Sequence, residues 1–138
     1  MRVLLADSSD RGGIATYTAR LAEALIAAGV DTHISAPGDK SSGAPPLPDH
    51  LWGPEAERMG RWRLYAARLA EVPRALSALR QGVREVEPDI VHLQSEIVPR
   101  FDPIAVRIIR RQASVVITAH DPDPHEGGTA DLRRQARR

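Results

Sequence analysis

The chain has no cysteine among its 138 residues, which excludes disulfides, thiol nucleophiles and thiolate metal sites and fits a cytosolic setting. It also lacks any apolar run approaching the ~20 residues that span a bilayer. The opening Val3-Leu4-Leu5-Ala6 stops at Asp7, well short of a signal-peptide core. An excess of one charge is missing too: the formal net charge is +1, too little for a dedicated nucleic-acid binder. Lysine is represented by Lys40 alone, and the bias to arginine and alanine fits a GC-rich genome. Several site signatures are absent. Gly12 and Gly13 are adjacent, so the dinucleotide pattern G-x-G-x-x-G fails, and neither G-x-x-x-x-G-K nor G-x-S-x-G occurs. Phosphate-loop hydrolysis and nucleophile-elbow chemistry are thereby excluded.

What is present is an ordinary globular composition, 42% apolar and 27% charged, in a length that suits one domain. Residues 2–7 read as a short apolar strand and Ser8 to Gly13 as a polar, glycine-bearing turn. Ile14 to Ala28 reads as a helix closed by Gly29. Ile14, Tyr17, Leu21, Leu25 and Ala28 form its apolar stripe. A second strand runs to Ala36. Residues 37–54 then hold five of the 11 prolines, a long Pro/Gly-rich loop that is either functional or a disordered surface connection.

The longest helical pattern carries Trp62, Tyr65, Leu69, Val72, Leu76, Leu79, Val83 and Val86 at intervals of three and four. A coiled coil could use that stripe, but Pro73 should kink or split the helix, leaving a bent helix or two helices packed on a sheet. Its many arginines, with Trp52 and Trp62, suit either a solvated face or an anionic membrane surface. Ile90-Val91-His92-Leu93 is a third strand followed by the polar turn Gln94-Ser95-Glu96. Asp102-Pro103 opens a helix reaching about Gln112. Ser114 to Ala119 is a fourth strand, apolar enough to be covered on both faces, with His92 read as a satisfied buried histidine in the third. The order predicts an α/β fold: a Rossmann-like parallel sheet of about four strands flanked by helices.

In such a sheet ligands sit beyond the carboxyl ends of the strands, where the strand order reverses. Three turns meet there: Ser8 to Gly13, Gln94 to Pro99, and His120 to Gly128. Gly12-Gly13 either allows a tight turn or presents backbone amides to an anion. His120 and Asp121, directly after a strand, either brace their loop or contact a ligand and carry a proton. Asp121-x-Asp123-x-His125-Glu126 has donor types a metal could use, yet Pro122 and Pro124 stiffen the turn. No metal or other cofactor is expected.

Three segments carry a family resemblance. Arg11-Gly12-Gly13-Ile14 with Thr18 through Gly29 resembles the opening of glycosyltransferase family 4. Pro88-Asp89-Ile90-Val91-His92-Leu93-Gln94 is similar to the family's P-D-I-V-H-x-H strand, and Val115 through Asp121 to its V-V-x-T-x-H-D strand. The resemblance implies a GT-B architecture of two Rossmann-like domains, with residues 1–138 as the N-terminal, acceptor-side one, truncated within a final helix. It implies that Arg11, Gly12 and Gly13 approach the donor diphosphate or the transferred sugar. His120 would face the reacting sugar with Asp121 beside it, and Gln94, Ser95 and Glu96 would lie on the acceptor side. Gln94 departs from the family's second histidine. The family's paired glutamates, eight positions apart in the C-terminal domain, have no counterpart here.

The expected function is therefore the acceptor-binding part of a retaining glycosyltransferase, inactive alone. Its expected partners are a nucleotide-sugar donor, a sugar or lipid-linked acceptor, and a missing C-terminal domain or partner subunit. No nucleic acid is expected. The expected location is the cytoplasm, with peripheral contact at the inner membrane face. Two alternatives stand beside it, a free-standing Rossmann-like binding or regulatory module and one subunit of a split transferase.

Overall fold

Short β-branched and leucine-rich runs separated by amphipathic helices form four parallel strands in the order β2-β1-β3-β4. In the computed structural model the described residues are 1–9, 12–37, 44–47, 60–94 and 102–118. The elements are β1 (Arg2–Ala6), α1 (Gly12–Ala27), β2 (Asp31–Ser35), α2 (Arg61–Val86), β3 (Ile90–Leu93), α3 (Asp102–Ile109) and β4 (Ser114–Ile117). Leu4 stands opposite His33 on one side and Val91 on the other, and Val91 stands opposite Val115. From β1 the chain steps one way to β2, then crosses back over β1 to β3 and on to β4. Right-handed crossovers in opposite directions put their helices on opposite faces of the sheet.

The side chains divide accordingly. Val3 and Leu5 of β1 point toward α1 and pack with Ala22, Leu21, Leu25, Val30, Ile34 and Ile90. The alternate residues Leu4 and Ala6, with Val91 and Leu93, face the larger layer built from Ala75, Leu79, Val83 and Val86 of α2 and Ala105 and Ile109 of α3. Ala44 and Leu47, from the loop read as a surface connection, are buried in that same layer. The Ser35 hydroxyl donates to the Pro45 carbonyl and ties this stretch to the end of β2.

Four sequence expectations are corrected. Helix α1 begins at Gly12, two residues before the apolar run, because Gly12 adopts φ +82° and turns the chain into the helix. Its buried line contains Thr18 and Ala22, whereas Tyr17 is exposed. A buried partner for the Thr18 hydroxyl, described below, is the reason. Of the two outcomes expected at Pro73, the split into two helices is the one corrected, since α2 is a single helix through that position. A proline removes one N–H, and the carbonyl it would have paired belongs to Leu69, on an exposed turn where water can take its place. Strand β4 is an edge strand with Val116 and Ile117 exposed, because among the described residues no element lies beyond it. Its apolar character matches a covered strand without the cover.

Helix α1 stops as its Gly29 predicts. The Val30 N–H reaches the Leu25 carbonyl and the Gly29 N–H the Ile26 carbonyl, with Gly29 at φ +79°. This is a Schellman ending, and Val30 packs in the same layer as Leu25.

At the amino ends of the strands, Arg2 acts as a clamp. Its Nε donates to Asp31 Oδ2 at 2.6 Å and its guanidinium to the Val86 carbonyl at 2.8 Å, while its backbone N–H reaches Asp89 Oδ2 at 2.6 Å. The hydrogen bond from Arg2 holds the Asp31 carboxyl below its ordinary value of 3.8. Asp31 thus binds its proton more weakly folded than unfolded. Its contribution to stability is complete above the ordinary carboxylate range and is lost as pH falls below it. Replacing Asp31 with Asn is expected to flatten the acid limb of the stability curve below about pH 4, which urea midpoints measured across that range would show. The pair is solvent-exposed, so the effect at neutral pH should be small.

Candidate functional site

The strand order reverses between β1 and β3, and in an open parallel sheet the crevice for a ligand opens there, beyond the carboxyl ends. The described residues at that edge are Asp7 and Ser8 after β1, Gly12 and Gly13 at the start of α1, Gln94 after β3 and Thr118 after β4.

Asp7 organises this edge. It is fully buried, and its backbone N–H extends the β1–β2 ladder to the Ser35 carbonyl. Carboxylate Oδ1 accepts the Ser9 N–H at 2.9 Å, and Oδ2 accepts the Thr18 hydroxyl at 2.7 Å. The same hydroxyl lies 3.0 Å from the Ile14 carbonyl, but the shorter contact to a carboxylate takes the proton. One buried acid thus fixes both the turn after β1 and the first two turns of α1. Neither Asp7 nor Thr18 stood out in the sequence. The available signal was an acid ending an apolar strand, followed by a threonine inside the helix that packs on it.

Among the described residues nothing covers the amino end of α1. Its first turn has no acidic residue to neutralise the free N–H groups. A Cβ placed on Gly12 or Gly13 would meet nothing within 4 Å. Gly12 needs its glycine for the backbone, since φ is +82°, but Gly13 has no such requirement. Neither steric crowding nor strain within the described residues explains a glycine at position 13.

Across the switch point, Gln94 extends β3 by donating its N–H to the Ala6 carbonyl at 2.9 Å. It is fully buried, and among the described residues neither its Oε1 nor its Nε2 has a hydrogen-bond partner. His92 is half-buried and paired, its Nε2 lying 2.7 Å from the Thr118 hydroxyl. This agrees with its reading as a satisfied histidine. The structure brings Gly12, Gly13 and Gln94 to one edge. Arg11, Ser95, Glu96, His120, Asp121 and the Asp121-to-Glu126 metal pattern lie outside the described residues.

A separate groove of about 930 Å³ lies at the opposite end, lined by Arg84, Glu87, Asp89, Arg110 and Arg111 among others. The carboxyl ends of α2 and α3 border it, and the arginines there offset the negative ends of those helices. It is remote from the switch point. Among the described residues no helix is long and apolar enough to cross a membrane.

The geometry defines a Rossmann-like parallel α/β domain with its ligand edge between β1 and β3. Comparison with known proteins narrows this class. Residues 11–138 match the family model described as Glycosyltransferase Family 4. The chain belongs to glycosyltransferase family 4, with a glycosyltransferase-type role and sugars as its general class of substrate. No curated protein and no solved structure gives a significant match.

Proposed function

We propose that the chain is the acceptor-side part of a retaining glycosyltransferase of GT-B architecture that takes its sugar from a nucleotide-sugar donor. In this reading a further domain or partner subunit holds the donor nucleotide, and the chain alone does not turn over. Gly12 and Gly13, with Arg11, approach the donor phosphates or the transferred sugar. His120 and Asp121 stand beside the reacting sugar, and Gln94, Ser95 and Glu96 serve the acceptor. No metal or other cofactor takes part. The exposed Trp62 and Arg63 of α2 provide peripheral contact with anionic lipid, a part of the reading that flotation with anionic against zwitterionic vesicles tests.

The observation that carries this reading is Gly13. It sits at the positive end of α1 with, among the described residues, room for a side chain and no backbone need to lack one. A glycine in such a place is explained by close approach of a ligand to the backbone. Gly13→Ala is expected to stabilise the free chain by about 0.5 kcal/mol, because alanine favours the helix. In the chain joined to a donor-binding domain it should also reduce sugar transfer by at least tenfold. Thermal unfolding and a transfer assay read the two effects. Gain of stability with full activity would refute a ligand at this glycine. Nucleotide-sugar binding by the chain alone would favour a free-standing module.

A further inference from the structure

A second groove, of about 720 Å³, runs between α2 and α3 and is lined by Pro73, Leu76, Arg80 and Arg84 of α2 and Ile108 of α3 among others. Arg84 also lines the groove of about 930 Å³ at the carboxyl ends of these helices, together with Arg110 and Arg111, so the two grooves adjoin there. Pro73, Leu76, Arg80 and Arg84 are spaced by three and four residues and form one strip along α2. From Pro73 to Glu87 the strip is about 21 Å long, the span of roughly six residues of extended chain.

The arginines of this trough have no use within the described structure. Arg2, Arg20 and Arg74 are paired with Asp31, Glu23 and Glu71. Arg80, Arg84, Arg110 and Arg111 are exposed, and among the described residues none makes an ion pair. Their guanidiniums do not cap the helices either. The Val86 carbonyl accepts from Arg2, and the Val83, Val106 and Ile109 carbonyls accept from backbone N–H groups. Two acids beside them are engaged elsewhere: Asp89 accepts the Arg2 N–H and Glu85 the Gln81 amide. The arginines offset the helix dipoles through space and keep their N–H donors for another acceptor.

The lining specifies that acceptor. Forked guanidiniums match carboxylates. Half-buried Leu76 and Ile108 suit an aliphatic side chain, and Glu87 in the larger groove accepts an N–H. A peptide brings all three groups. Inorganic phosphate or a nucleic-acid backbone brings no apolar anchor, and its negative charge would lie against Glu87. We propose that the α2–α3 trough docks an acidic peptide segment of a partner protein, with an aliphatic side chain at Leu76 and Ile108 and carboxylates on Arg80, Arg84, Arg110 and Arg111.

The test titrates the whole chain into a fluorescent peptide, acetyl-Leu-Asp-Glu-Glu-Asp-Glu-amide, and reads anisotropy. Binding should weaken at least tenfold in Arg84→Glu and again in Arg110→Glu, two exposed positions, so that one variant serves if the other fails to fold. Arg20→Glu, the same charge change on α1, should bind as the wild type does. Salt should weaken binding, and serine in place of the peptide's leucine should weaken it further. The matched peptide with Asn and Gln for Asp and Glu should not bind.

No binding of the acidic peptide at 1 mM chain, on the order of the weakest affinity that would count as docking, overturns the proposal. So does equal binding of the uncharged peptide, or an equal loss in Arg20→Glu, which would reduce the effect to overall charge. Complete competition by equimolar inorganic phosphate would mean an anion site rather than a peptide groove. Binding to phosphatidylglycerol vesicles that Arg84→Glu abolishes, without binding of the peptide, would assign the trough to lipid instead.

Discussion

Leu4→Ala is expected to destabilise the chain by about 3–4 kcal/mol, a large share of the 5–15 kcal/mol that holds a typical domain together. Leu4 is fully buried at the centre of the larger apolar layer. The helix above it comes close: a methyl on Gly82 of α2 would lie 3.5 Å from Leu4 Cδ2, and 3.7 Å from Pro45. The void left by alanine would therefore be walled by β1, by the backbone of α2 and by a proline, none of which can move easily to fill it. Poor collapse puts the cost in the upper part of the usual range for such truncations. Urea unfolding of the variant would show a lower midpoint with an unchanged slope. A loss below about 1 kcal/mol would mean that this layer is loosely packed.

Thr18→Val is expected to cost about 2 kcal/mol without changing the shape of the side chain. Valine keeps the volume of threonine but cannot donate to Asp7 Oδ2, so a buried carboxylate loses one of its two described hydrogen bonds. The loss should be local as well as global. The turn after β1 and the start of α1 share Asp7 as their anchor, so amide exchange should quicken in the first two turns of α1 more than in its last. A double variant with Asp7→Leu provides the control. With the acid gone, the additional effect of Thr18→Val should fall close to zero, since the two groups form one unit. Full additivity would show that they act independently.

The sheet was legible where local pattern and burial agree. Strand β3 runs over the residues its apolar run marks out, and Gly29 ends α1 by the hydrogen bonds that its position suggests. The burial of β4 was not legible. A run such as Val115-Val116-Ile117 reports what a strand could bury, whereas its exposure depends on whether neighbours exist. The stripe of α2 was half informative: Leu79, Val83 and Val86 are buried on the sheet while Trp62 and Leu69, in the same register, are exposed. Periodicity describes a face of a helix, and the length of sheet beneath decides how much of it is used.

The candidate site shows the same limit. Gly12-Gly13 and Gln94 were visible as turns at strand ends, and the parallel order brings them to one edge. The pairing of Asp7 with Thr18 joins residues eleven positions apart on different elements, and nothing in their types announces it. The Gln94 amide, unpaired among the described residues, is likewise a property of its surroundings, which only the folded arrangement reveals.

The placement of β1 between β2 and β3 also has a timetable. The Arg2 N–H is satisfied by Asp89, 87 positions further on. At ribosomal rates of about 5–20 residues per second, β1 waits roughly 4–17 s for that partner. Strand β2 and helix α1 follow it quickly and can cover one edge and one face. Leu4 and Ala6 face the layer completed by α2 and α3, so during synthesis they stay open to chaperones or to neighbouring nascent chains. Slowing translation after β2 should therefore lower the soluble yield, and raising chaperone levels should restore it.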